Sequence, residues 1–484
     1  AMKTLLVTGR LALDQVRATA PGSDVLVLDV DVAAFITPEM LCRAKPEGYD
    51  LILIPGAITA DFREVERRLN ARIRLGPKHA ADLGFVLRHL DEFELSSSIP
   101  ACVLMESKNR SEAQALAERL EEAASGQITL KGVKIGGNSR MKVLAEVVDA
   151  TRFVAEDLIA RVRYFEAQGA DLIDLGLPLD ASPSDVTLAM NAAKSATSLP
   201  VSVDTVIPDL ILAGLHAGAD LILSLNGQNL PHVGEALAAA GVPAVVISGP
   251  GPICLEENLD KALGYGISVI ADPVLDPPVL GLASSLHEYI LFREAHPHIP
   301  LFFGVGNVTE LLDADCTGAN ALLAALGAEM GASLLFTPEY SAKTRGSVHE
   351  LGIAARMMSL AQGRHTPPKD LGLDLLVLKE KRRLPLEPMP EVFVEAENRH
   401  KYEPDNAGSF RITLSQGKIL AGNGSITVAG CNARDILNTL IDMGLVTRLD
   451  HAGYLGRELE KGEIALALKR SYNQDEPLWP SEKS

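Results

Sequence analysis

From Val133 onward the chain repeats one pattern: an apolar run of strand length, often closed by a polar residue, then in most cases a stretch with Ala/Leu helical periodicity. The runs read "VKIGGN", "ADLIDLG", "PVSVDT", "ADLILSLNG", "VPAVVISG", "GISVIADPV", "PLFFGVGN" and "ASLLFTPEYS". Near-continuous apolar strands that alternate with helices require a parallel sheet covered by those helices. Eight such units in roughly 230 residues match a closed (β/α)8 TIM barrel in length and count, an open doubly wound sheet being the alternative.

The 484 residues exceed one ordinary domain, so flanking domains are expected. Upstream, "TLLVTG", "DVLVLDV", "DLILIPG" and "PACVLME" alternate with helical stretches such as "ADFREVERRLNARI", which predicts a small Rossmann-like α/β layer domain. Downstream, composition shifts to Pro and charge, and then short strands resume in "SFRITLSQGKILAGNGSITVAG" before two helices. The expected division is an N-terminal α/β domain over residues 1–128, the barrel over 129–366, a linker over 367–395 and an α+β domain over 396–484.

A net charge of -18 argues against nucleic acid as partner, because phosphate binders gather Lys and Arg on one face. The five widely spaced cysteines form no zinc or disulfide pattern and read as reduced thiols. With no long apolar segment to suggest a signal peptide or membrane span, a cytoplasmic protein that handles small molecules is expected, with no membrane partner.

In a barrel of this type chemistry gathers at the C-terminal ends of the strands. The polar residues there are Asn138, followed by Arg140 and Lys142, then Asp174, Asp204, Asn226, Asp272 and Asn307, with Glu339, Lys343 and Arg345 after the last strand. A carboxylate that closes an apolar run is costly to desolvate unless a ligand donates to it. An amino group beside a ring N–H is a suitable donor pair, and Asn226 can donate and accept on one ring edge.

In this order and spacing, "PVSVDT", "ILSLNG", "VIADPVLDP" and "LFFGVGN" resemble the pterin-binding domain shared by dihydropteroate synthase and the methyltetrahydrofolate:corrinoid methyltransferases, and "EAQGADLIDLG" is the most specific match. The whole chain resembles the dihydropteroate synthase-related proteins of organisms that use tetrahydromethanopterin. The resemblance implies a pterin, as substrate or cofactor, held by Asp204, Asn226 and Asp272. Asp174 would lie beside it, and Gly304 and Gly306 would let the backbone approach the flat ring. It also implies a homodimer.

Two reactions, and one silent role, fit that resemblance. In a synthase a hydroxymethyl-dihydropterin diphosphate condenses with an arylamine, for folate or tetrahydromethanopterin. Asn138, Arg140, Lys343 and Arg345 would then meet the diphosphate, with Mg²⁺. In a methyltransferase a methyl-tetrahydropterin donates its methyl group, and Asn307 stands where that branch carries an asparagine near N5. The synthase lysine is missing from "GVGNVTE". A non-catalytic pterin-binding subunit is the third reading, and the synthase is the one expected first.

Overall fold

The computed structural model describes residues 2–249, 254–369, 371–380, 389–396 and 403–479. The chain divides into two compact units, Ala1–Pro385 and Leu386–Ser484. The predicted linker falls partly on residues 370 and 381–388, which lie outside the described residues.

The first unit begins with a four-stranded parallel sheet of β1 (Thr4–Thr8), β2 (Asp24–Val27), β3 (Leu51–Ile54) and β4 (Arg72–Leu75), in the order β2-β1-β3-β4. The central strand β3, "LILI", is buried at every position, as a strand covered on both faces must be. One expectation fails here. "PACVLME" opens the helix Ala101–Ala123 and the fourth strand is "RIRL", cut from a stretch read as wholly helical. The helix Arg63–Leu69 ends at Asn70, whose left-handed backbone (φ 47°) frees the next residues to pair with β3.

A short antiparallel hairpin follows, β5 (Ile128–Leu130) and β6 (Val133–Ile135). The barrel is β7 (Lys142–Val147), β8 (Leu172–Gly176), β9 (Val201–Asp204), β10 (Leu221–Leu225), β11 (Ala244–Val246), β12 (Val269–Ala271), β13 (Leu301–Phe303) and β14 (Ala332–Thr337). These eight strands close on one another, β14 pairing with β7, which excludes the open sheet. The outward positions pack under the helices in one continuous core, and Ala113 and Ala117 of the long helix belong to it.

A separate apolar cluster fills the barrel interior: Leu144, Leu172, Leu221, Leu223, Val245, Ile270, Phe302 and Leu334. Ile135 of the hairpin joins it, so β6 plugs the N-terminal end of the barrel. "VKIGGN" is therefore no barrel strand. Gly136 and Gly137 turn the chain with positive φ, and the first strand starts at Lys142.

The second unit holds an antiparallel sheet of β15 (Arg411–Ser415), β16 (Lys418–Gly422) and β17 (Thr427–Gly430), backed by the helices Ala433–Asp442 and Leu449–Ala467. Within this unit His451 Nδ1 lies 2.9 Å from Asp405, and Tyr454 donates to Asp475 at 2.9 Å. Among the described residues no helix is long and apolar enough to cross a membrane.

Candidate functional site

Side chains alternate along a strand, so each barrel strand that contributes an apolar residue to the interior contributes its next inward residue two positions later. On β7 Leu144 is followed by Glu146, on β8 Leu172 by Asp174, and after Ile270 on β12 comes Asp272. Glu146 is in register with Asp174, and Asp174 with Ser202. Asp204 lies two residues beyond Ser202, one step nearer the C-terminal mouth. The apolar plug therefore gives way to a layer of carboxylates.

Oxygens of Glu146, Asp174 and Asp204 all lie within 4.8 Å of one another. Ser202 Oγ donates to Asp174 Oδ1 at 2.5 Å, and Asp174 Oδ2 is buried with no hydrogen-bond partner. Glu146 packs so closely over Gly176 that any Cβ there would collide with it. Like charges this close cannot all ionise. Burial, then Asp204, Asp149 and Glu310, push the Glu146 carboxyl up to about 8. Burial raises Asp204 to about 6, and burial followed by repulsion from Asp204 and Glu146 raises Asp174 well above the usual range. An all-oxygen set of this kind suits N–H donors or a hard divalent cation.

Asp272 is also pushed up to about 6 by burial, against the pull of two hydrogen-bond donors. Val274 N–H donates to its Oδ1 at 2.9 Å, and Tyr289 OH, from the helix Leu282–Ala295, lies 2.9 Å from the same atom. Both bonds fall on Oδ1, so Oδ2 has no partner among the described residues. Asn226 is buried, but its Oδ1 already accepts from Gln228 N–H at 2.9 Å and Asn229 N–H at 3.3 Å. The expectation that it donates and accepts on one ring edge is thus corrected: only Nδ2 is available to a ligand.

Asn307 opens a single helical turn, Gly306–Thr309, and its Nδ2 donates to Leu275 O at 2.9 Å. The glycines before it have a packing reason of their own. A Cβ on Gly306 would lie 2.6 Å from Pro338 Cδ, and one on Gly304 3.2 Å from Asn307 Nδ2. On the loop after β14, Lys343 Nζ pairs with Asp313 at 2.7 Å. Arg345 is exposed and has no ion pair among the described residues.

The strand-one candidates lie at the other end of the barrel. Asn138 Oδ1 accepts from Ser125 N–H at 2.7 Å beside the plugging hairpin. Arg140 makes a two-pronged pair with Asp171 (2.8 and 2.5 Å), just before β8 begins. Lys142, 2 % exposed, pairs with Glu121 at 3.0 Å. None of the three reaches the mouth, because each precedes the true first strand or opens it. A diphosphate and its Mg²⁺ at the mouth would find no ligand in Asn138. The same shift hid Glu146, which the alternation in "KVLAEV" would have revealed; Ser202 was legible in that way too, whereas Tyr289 sits on a helix with no sequence signal.

An uncharacterized protein of Methanocaldococcus jannaschii is 34% identical to this chain, with 99% of each covered. The chain belongs to the same family. Residues 404–475, in the second unit, match the family model described as PterinBD-DUF4346, in keeping with the resemblance to dihydropteroate synthase-related pterin-binding proteins. Among solved structures, the dihydropteroate synthase of Yersinia pestis is 20% identical, covering 49% of this chain and 99% of that one at a TM-score of 0.40. That of Xanthomonas albilineans with 4-aminobenzoic acid is 22% identical, covering 50% and 99% at a TM-score of 0.39. The fold assignment rests on the closed strand order and not on likenesses this distant.

Proposed function

We propose that the barrel mouth holds a pterin and that the protein is a transferase acting on a methyl-tetrahydropterin, the tetrahydromethanopterin type being the one suggested by the whole-chain resemblance. One observation carries the choice of reaction: the cations expected to meet a diphosphate are not assembled. Asn138 and Arg140 are at the opposite end, Lys343 is paired with Asp313, and the mouth is lined by Glu146, Asp174, Asp204 and Asp272. A departing pyrophosphate would develop negative charge against that acidic layer, whereas a neutral methyl donor does not.

In this reading Asp272 Oδ2 accepts from the amino and ring N–H edge of the pterin while Tyr289 and Val274 fix the carboxylate. Asn226 Nδ2 donates to a ring acceptor. When the N5 methyl passes as a methyl-cation equivalent to a nucleophilic acceptor, the N5–C bond breaks, its electron pair stays on N5, and Glu146, held protonated near neutrality, supplies the proton that N5 must gain. Arg345 is the feature that favours the synthase instead. Calorimetry with a methyl-tetrahydropterin and with a hydroxymethyl-dihydropterin diphosphate separates the two. Tighter binding of the methyl donor is expected, and a preference for the diphosphate that Arg345→Ala abolishes would overturn the methyl-transfer reading.

A further inference from the structure

A second cleft differs in character from the acidic mouth. It lies at the edge of the N-terminal sheet, measures about 970 Å³ and is lined by Arg63, Arg67, Arg72 and Arg74 together with Asp50 and Glu66. In a chain with 63 acidic and 45 basic residues, four arginines on one cleft, against the two carboxylates Asp50 and Glu66 in its lining, are a local excess of positive charge. Two elements build it. Arg63 and Arg67 stand at i and i+4 on the helix Arg63–Leu69, and Arg72 and Arg74 stand at i and i+2 on the edge strand β4. The intervening Ile73 and the neighbouring Leu75 are buried on the other face, so the two strand arginines share the outward one.

Like charges at i,i+4 on a helix, and on one face of a strand, oppose folding unless something neutralises them. Two of the four are neutralised from within. Arg63 is held by Asp61 through Nε at 2.9 Å and a terminal nitrogen at 2.6 Å, and Arg74 by Glu66 at 3.0 Å. Arg67 and Arg72 make no close ion pair among the described residues, although Arg67 lies near enough to Asp61 to help hold its carboxyl below the usual range. Arg67 Nε reaches only Arg63 O at 3.4 Å, and a terminal nitrogen of Arg72 lies 2.9 Å from Met2 Sδ. Each of the two guanidinium groups keeps further N–H donors for an outside acceptor, and such donors suit phosphate oxygens.

We propose that this cleft is a binding site for a nucleotide-sized organic phosphate, with Arg67 and Arg72 as the phosphate-holding residues. Both arginines line a cleft of about 970 Å³, room for an organic phosphate with a polar body. A nucleic-acid strand does not suit a single cleft on a chain of net charge -18. The site is independent of the pterin reading.

Isothermal titration of the full chain with ADP, and separately with inorganic pyrophosphate, tests it. Both are expected to bind with an affinity that falls as salt rises. Arg67→Ala and Arg72→Ala should each weaken binding about tenfold. Arg68→Ala, on the same helix but paired with Glu64 and outside the cleft, should leave it unchanged. ADP binding tighter than pyrophosphate supports the organic phosphate. Absence of ADP binding, pyrophosphate binding the tighter, or loss caused as much by Arg68→Ala as by the cleft variants, overturns the proposal. Thermal melts of each variant check folding, and Arg67→Ala suffices if the edge-strand variant unfolds.

Discussion

The two ends of the barrel treat their carboxylates in opposite ways. At the N-terminal end Asp171 is gripped by Arg140, Glu121 by Lys142 and Asp220 by Lys131 at 2.8 Å. At the C-terminal end Glu146, Asp174, Asp204 and Asp272 have no cation beside them among the described residues. The three carboxylates at the first end are thus each compensated by a cation of the chain. At the second end the carboxyls are forced toward their protonated forms, and a ligand or a proton must complete what the fold leaves open.

The largest predicted effect breaks the compensated end. Arg140→Ala leaves the partly buried Asp171 without its cation and with the Val143 N–H as its remaining partner, and should cost about 3 kcal/mol in urea denaturation of the full chain. Asp174→Asn at the other end replaces a carboxyl that burial and its neighbours already force toward the neutral form, so it should leave stability unchanged or raise it. If both variants destabilise equally, the contrast between the ends is wrong.

Ligand binding should show the reverse order. Asp272→Asn is expected to weaken methyl-tetrahydropterin binding about tenfold or more, because its free oxygen would no longer offer a charged acceptor. Unchanged affinity would remove the pterin from this mouth. Arg140→Ala, where it still folds, should bind the pterin as the parent does.

A smaller effect comes from proton linkage. Glu146 titrates near 8 in the folded protein against 4.5 as its ordinary value, so between those pH values the folded state holds the extra proton. Stability of the first unit should therefore fall as pH rises through that window, by more than about 1 kcal/mol, and level off above it. Glu146→Gln should flatten the profile, and an unaltered slope would show that another group carries it.

The smallest is Lys343→Ala. The lysine pairs with an exposed Asp313 and stands apart from the acidic layer. Neither melting temperature nor methyl-tetrahydropterin affinity should change measurably. A clear loss of diphosphate-ligand binding in this variant would instead revive the synthase.

Much of the architecture was legible because periodicity survives in one dimension. Seven of the eight barrel strands lie where the apolar runs placed them, and Asp174, Asp204, Asn226 and Asp272 stand at the ends of four of them. The first strand was misplaced because "VKIGGN" and "KVLAEV" are both apolar runs of strand length. Only pairing distinguishes the hairpin that plugs the barrel from the strand that closes it. The same ambiguity turned "PACVLME" into a strand and hid "RIRL" inside a helix.

The sequence by itself determined the repeating unit, the barrel and the set of acidic residues that end its strands, since each follows from local spacing and burial. Tertiary structure alone decided which charges find partners. Arg140 meets Asp171, Lys142 meets Glu121 and Tyr289 meets Asp272 across separations that no local pattern encodes. Electrostatic compensation depends on distance in space, and that is why Arg140 and Lys142, expected at a strand end by the mouth, serve as ion-pair partners at the other end of the barrel.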